Sequence, residues 1–310
     1  MVRPANEIDI RESKLSRTGN LLDILLIDRT TSKNIIWATD SYELHGQKFS
    51  PDKQITLSLI MGKHDRLIQP RATKNIKEQQ RRTKEKAEVF TPLNIVEKMN
   101  NSVNASGEFS RINKNNWQEY VRQVWIEITC GEGPYIVSRY DPTAHTGEVV
   151  DIKKRVGFLD KKLQVVSKYC KNKKDWLLWA KEAFRASYGY EWQGDNVLIA
   201  RENLLYTFID YYQDKFSLQP TVKLQEEFAE IISWNIFQMD GLRYVVPMSC
   251  HHETKIIKGI STLFEKKLDT VEKYECEGCK YNRINKHNGR YAKIMDWSKN
   301  KVIRFIDVVN

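Results

Sequence analysis

Three apolar runs in this chain end in the same way: a stretch rich in β-branched or aromatic residues reaches an acid, and a glycine follows. They are "VWIEITCGEG", with Glu127 ahead of Gly131 and Gly133; "YGYEWQG", with Glu191; and "NIFQMDGL", with Asp240. The first predicts a strand over Val124 to Thr129, the second a strand ending near Glu191, and the third a strand over Ile231 to Phe237. Helix-patterned stretches separate them, one running to about Ala186 and a long one from about Asn196. Strands alternating with helices predict βαβ units, hence an α/β fold with a parallel sheet covered on both faces. In such a sheet the carboxyl ends of the strands lie side by side on one edge, where ligands bind. Three carboxylates distant in sequence are therefore expected to converge there. Glycines let backbone amides approach a ligand closely, and carboxylates accept hydrogen bonds from an amine or from ribose hydroxyls.

The glycine pattern narrows the ligand. Gly131-x-Gly133 lacks the third glycine of a dinucleotide fingerprint, and no P-loop lysine follows, so the residues argue against NAD and ATP. At 310 residues the chain can bury a core without disulfide or metal staples. Its first residues lack the apolar run of a signal peptide, and no stretch approaches the roughly 18 apolar residues of a membrane span. A cytoplasmic protein without a membrane partner is expected.

Charge points to a polyanion. The net charge is +10, and Lys63, Arg66, Arg71, Lys74, Lys77, Arg81, Arg82, Lys84 and Lys86 are opposed locally only by Asp65, Glu78 and Glu85. "TKNIKEQQRRTKEK" has helix formers and neither glycine nor proline, so a helix is expected there, ending before Pro92. Its cations form either a solvated helix face or a phosphate-contacting segment built on Arg71, Lys74, Lys77, Arg81 and Arg82. A second helix follows in "LNIVEKMNNSV", with Ile95, Val96 and Met99 expected on one shared face.

Residues 247–290 break the α/β pattern and read as an insert. The five cysteines, Cys130, Cys170, Cys250, Cys276 and Cys279, are an odd number in a long chain without a signal, so no disulfide framework is expected. "CHHE" and "CEGC" offer instead a structural zinc site of Cys250, Cys276 and Cys279. His252 is the first choice as fourth ligand, with His251 and His287 as alternatives. Reduced thiols in a polar loop are the competing reading. Beyond the insert, "YAKIMDWSKNKVIRFIDVVN" reads as a strand pair turning at "SKN".

In their order, "FTP" (Phe90, Thr91, Pro92), "EITCGEGPY", "YGYEWQGDNVLIARENLL" and "NIFQMDGL" resemble the cofactor motifs of amino-type (N6-adenine) DNA methyltransferases of restriction-modification systems. The resemblance covers roughly residues 75 to 245. It implies a class I, Rossmann-like S-adenosylmethionine-dependent methyltransferase fold and a DNA partner in a bacterial or phage modification system. By that resemblance Phe90, Thr91 and Pro92 pack against S-adenosylmethionine, and Glu127 meets the methionine ammonium. Cys130, Gly131 and Gly133 form the loop, Glu191 takes the ribose hydroxyls, and Asp240 meets the adenine amine. Ile128, Thr129 and Glu132 depart from the family pattern, which has Pro, Ala and Ser there.

The family's catalytic tetrapeptide, Asn or Asp followed by Pro-Pro and an aromatic, draws on the N6 protons and stacks on a flipped base. It does not occur here: none of the 8 prolines is followed by another. Asp296 and Trp297 offer a carboxylate and an aromatic without those prolines and are the substitute candidates. A fold incomplete at its C-terminal end is expected, with a second polypeptide supplying the missing strands, or a module that binds without catalysing. The expected division is an accessory region at 1–70, a cofactor-binding domain at 71–246, the insert at 247–290 and the strand pair at 291–310.

Overall fold

A computed structural model describes residues 15, 17–86, 88–106, 111–144, 147–258 and 269–309. The described residues begin with helix α1 (Leu21–Leu26), a short antiparallel pair β1 (Ile27–Asp28) and β2 (Lys33–Asn34), and one helical turn α2 (Leu57–Ile60). Helices α3 (Ile76–Lys86), α4 (Leu93–Ser106) and α5 (Trp117–Arg122) lead into strand β3 (Trp125–Glu127). Helices α6 (Phe158–Tyr169) and α7 (Lys173–Arg185) then precede β4 (Ser187–Glu191). The long helix α8 (Gly194–Phe216) and α9 (Val222–Asn235) precede β5 (Ile236–Gln238).

β3, β4 and β5 form one parallel sheet in chain order, with Glu127 opposite Gly189 and Glu191 opposite Gln238. The protein is thus mixed α/β with a parallel sheet, and the strand ends carrying Glu127 and Glu191 are adjacent. The third strand is shorter than its sequence suggests. Phe228, Ile231, Ile232 and Asn235 are buried at helical spacing, so the run from Ile231 continues α9 and only Ile236 onward is strand.

The core centres on α8, buried along nearly its whole length. Trp176, Phe184 and Phe228 pack around its Phe208, Phe228 stacked on it with ring centroids 3.7 Å apart. Buried apolar residues such as Leu21, Trp37, Ile55 and Ile68 belong to this same cluster, so packing runs across the boundary expected at residue 70. Arg201 of α8 supplies a reason: its buried guanidinium donates to the carbonyls of Leu25, Ile27, Ser233 and Ile236, joining α1 to α9 and β5.

The opposite face of the sheet is covered only in part. Tyr188, Tyr190 and Phe237 pack under the antiparallel pair β8 (Lys293–Asp296) and β9 (Lys301–Arg304) through Ala292, Ile294 and Phe305. Val124, Ile126 and Ile128 on the same face stay exposed. In α4 the apolar residues divide rather than share a face. Val96 and Asn100 point inward, Asn100 donating to the carbonyls of Tyr135 and Val156, while Ile95 and Met99 are exposed. The insert contributes β6 (Glu253–Ile257) and β7 (Thr270–Tyr274), an antiparallel ribbon with every residue exposed, then the turn of helix α10 (Glu277–Tyr281).

Lys162 of α6 is buried with only two carbonyls for partners, those of Gln123 and Ala186, at 2.5 and 3.0 Å. Burial lowers its ammonium to about 7. Between that value and the ordinary lysine range the unfolded chain binds the extra proton, so this residue makes stability rise with pH. In denaturant titrations the wild type is expected to gain on Lys162→Met as pH increases from 7 to 9, by at most about 1.4 kcal/mol per pH unit. A difference that does not change with pH would contradict this.

Candidate functional site

The end of β3 and the loop after it are built as a closed turn. Thr129, Gly131 and Gly133 have positive φ of 48°, 53° and 78°, a conformation natural for glycine and strained for threonine. The Cys130 amide donates to the Tyr190 carbonyl at 2.8 Å, tying the loop to the end of β4. Glu127 closes the turn from inside, its two oxygens accepting the amides of Tyr135 and Ile136 at 3.2 and 3.0 Å. Glu191 does the same across strands, accepting the amides of Gly131 at 2.9 Å and Gln193 at 3.2 Å. Phe90 lies against Gly131 so closely that a Cβ there would stand 2.9 Å from the ring. Any larger residue would displace the phenyl group.

These residues border a cleft of about 900 Å³, within the range of small-molecule sites. Phe90, Thr91, Glu127, Cys130, Gly131 and Glu191 all line it. Its rim is apolar, with Val89, Met99, Val103, Val124, Ile126 and Ile128. Its polar floor adds Glu88, Gln193 and Asn196, none of which was singled out from sequence. Burial raises Glu127 well above the ordinary carboxylate range, and the charge of Glu191 adds to that despite the two amides. Burial also raises Glu191, against the amides of Gln193 and Gly131. The Cys130 thiol is pushed well up by burial and by both carboxylates, so it packs as an unreactive small apolar group. The one lysine on the lining, Lys86, is ion-paired with Asp40.

The remaining residues expected at the cofactor lie elsewhere. Pro92 and Gly133 do not line the cleft, and Gly133 faces Ala200 and Leu204 of α8. Asp240 caps its own turn, accepting the amides of Leu242 and Arg243 at 2.9 and 3.2 Å. Glu132 is turned inward, held by the Arg71 amide and the Tyr140 hydroxyl, each at 2.6 Å. Asp296 and Trp297 serve the C-terminal hairpin. Asp296 accepts from the amides of Ser298 and Lys299 and from the Ser298 hydroxyl at its turn, and the Trp297 indole donates to Asn235 at 2.7 Å. Both are occupied structurally and neither lines the cleft.

The basic segment is corrected in a similar way. Arg82 is buried, not presented to a phosphate: it forks onto Glu88 at 2.8 Å and Asp195 at 2.7 Å, and Tyr42 adds a hydrogen bond to Asp195. Burial opposes its charge, but Asp195 and Glu88 outweigh that and raise its pKa. Arg71 donates to the Glu88 carbonyl and the Thr83 hydroxyl and lies over the Phe90 ring. Arg81 pairs with Glu78 and Glu85. The Lys74 ammonium nitrogen is buried. Lys77 remains exposed.

In the insert, the sulfurs of Cys250, Cys276 and Cys279 converge on Nδ1 of His287, all within 4.8 Å of one another. The fourth ligand is therefore His287, while His252 is exposed on the surface. His287 Nδ1 lies 3.5, 3.8 and 3.6 Å from Cys250, Cys276 and Cys279. Zinc bonds of about 2.0–2.3 Å give tetrahedral edges of about 3.5–3.8 Å, so the group can hold a metal such as zinc. The Asn288 amide points at the Cys276 sulfur from 3.3 Å; with the Cys279 amide it holds that thiol below its ordinary value although burial opposes. Four protein ligands leave no open position, which marks a staple rather than a catalyst.

No protein-family model, curated protein or solved structure matches this chain. Among the described residues no helix is long and apolar enough to cross a membrane.

Metal analysis of protein purified without chelators should find about one zinc per chain, as one Cys3His group implies. Cys276→Ser should abolish it, and His252→Ala should leave it unchanged. Loss of metal in the His252 variant would return that residue to the ligand set.

Proposed function

We propose that the cleft binds S-adenosylmethionine, and that the chain is a DNA adenine-N6 methyltransferase-like protein of a restriction-modification or phage modification system. One observation carries the reading. Glu127 and Glu191, at the ends of adjacent parallel strands, meet a glycine loop and Phe90 in a single cleft whose one lysine is already paired. Such a lining opposes a phosphate-bearing nucleotide and suits a nucleoside carrying a cationic sulfonium and an ammonium. Three parallel strands as sequential neighbours agree with one mononucleotide-binding half of a doubly wound sheet, although each crossover here carries two helices.

Within this reading Glu191 has lone pairs left to accept ribose hydroxyls after its two amide bonds. Glu127 acts by holding the loop, through the amides of Tyr135 and Ile136. The amide-bound turn pre-forms the site, so little ordering is needed when the ligand enters.

A second reading, a binding module without methyl transfer, is favoured by a separate observation. Asp296 and Trp297 are both committed to the hairpin, and no Asp/Asn-Pro-Pro-aromatic motif stands near the cleft.

Calorimetry with S-adenosylmethionine tests the cofactor. Glu191→Ala should weaken binding about 10- to 100-fold, corresponding to about 1.5–3 kcal/mol for charge-assisted hydrogen bonds. Unchanged affinity would count against the ribose role, and no heat from the wild type would remove the cofactor. Labelled-methyl transfer to DNA then separates the two readings, since binding without transfer favours the second.

A further inference from the structure

With Arg82 buried and Arg71 and Arg81 engaged, the basic segment that runs through helix α3 presents little free charge beyond Lys77 and Lys84. A different stretch does. From Gly278 to Met295 the chain contains Lys280, Arg283, Lys286, Arg290 and Lys293 and no acidic residue. All five are exposed. The stretch includes two of the four metal ligands, Cys279 and His287.

Its backbone is well anchored. The Tyr291 hydroxyl donates to the Ile284 carbonyl at 2.7 Å and accepts the His287 amide at 3.0 Å. The Val246 amide donates to the Arg290 carbonyl, and the Ala292 amide to the Tyr244 carbonyl, at 2.8 and 2.9 Å. The strip is thereby fastened to the segment that leaves β5. Tyr281 stands out from it, 56 % exposed, with the Lys280 ammonium 5.1 Å and the Arg283 guanidinium 5.5 Å from its ring. Arg283 also pairs with Glu277 at 2.9 Å, an exposed pairing that a stronger anion can displace.

Exposed cations around an exposed aromatic ring, in a stretch that itself carries no acid, make a surface for nucleic acid: the cations meet phosphates and the ring packs on sugar or base. We infer that this metal-anchored strip, and not helix α3, is where the protein contacts DNA. The metal's part is to position: it holds Cys279 and His287, so that Lys280, Arg283 and Lys286 keep fixed places on the surface. The inference rests on the reading of the chain as DNA-directed. It does not depend on what the cleft binds.

The test uses the full zinc-loaded chain and a fluorescent DNA duplex, with anisotropy followed over a salt series. Replacing Lys280, Arg283 and Lys286 together by alanine, with zinc content checked to show that the insert is intact, should weaken binding about tenfold or more. The log–log salt slope should become shallower by about 3, one for each phosphate no longer neutralised. Lys77→Ala with Lys84→Ala on α3 should leave binding unchanged, and removing the metal should weaken it. Wild-type-like binding by the triple variant would overturn the inference, as would weakening confined to the α3 variant or no DNA binding by the wild type. S-adenosylmethionine calorimetry on the same samples keeps the two readings apart. A silent titration alongside strip-dependent DNA binding would sink the cofactor and leave this surface standing.

Discussion

The cleft depends on a guanidinium buried away from water. Arg82 of α3 bonds to Glu88, just ahead of Phe90, and to Asp195 in the first turn of α8, while Asn196 donates to Glu88 and Tyr42 to Asp195. Burying such charges costs several kcal/mol per ion, and only close, saturating geometry offsets that cost. Removing Arg82 would strand the buried Glu88 and Asp195, so the group holds three segments distant in sequence in one arrangement. Two of those segments supply Phe90, Thr91, Gln193 and Asn196 to the cleft. Arg71 extends the same linkage, its side chain reaching Glu88 and Phe90 and its amide reaching Glu132 in the glycine loop.

The carboxylates around the cleft therefore have two kinds of task. Glu88 and Asp195 neutralise Arg82, and Glu127 and Glu191 satisfy loop amides; a carboxylate accepts several hydrogen bonds, so fastening the backbone does not exclude binding a ligand. Asp240, whose oxygens serve its own turn and Arg243, has no part in the cleft. The insert follows a separate logic. A two-stranded ribbon with both faces exposed is at best marginal in water, and here Cys250 and Cys276 bracket its two ends. A metal held by these residues would close the base that no hydrophobic core supports.

Much of the architecture was legible from the chain because periodicity and punctuation are local. The helix with neither glycine nor proline at α3, the strand-to-glycine turn after Glu127, the strand before Glu191 and the hairpin at "SKN" all appear near their expected places. The third strand misled because "EIISWNIF" fits both an apolar strand and a buried helix face, and packing of Ile231 and Ile232 beside Phe228 settled it as helix. His287 was one of three candidate histidines, since the spacing of a Cys-x-x-Cys pair does not say which distant imidazole returns to it.

Residue type and order thus established an α/β chain with acids at strand ends, a glycine-bearing loop and a Cys-x-x-Cys knuckle, since backbone conformation and side-chain chemistry act over a few residues. Which acids face a ligand and which hold the backbone, and whether Arg82 meets solvent or Asp195, could not be read that way. Those outcomes depend on burial: a charge far from water must find a partner, and the partner comes from whichever segment the folded core brings alongside.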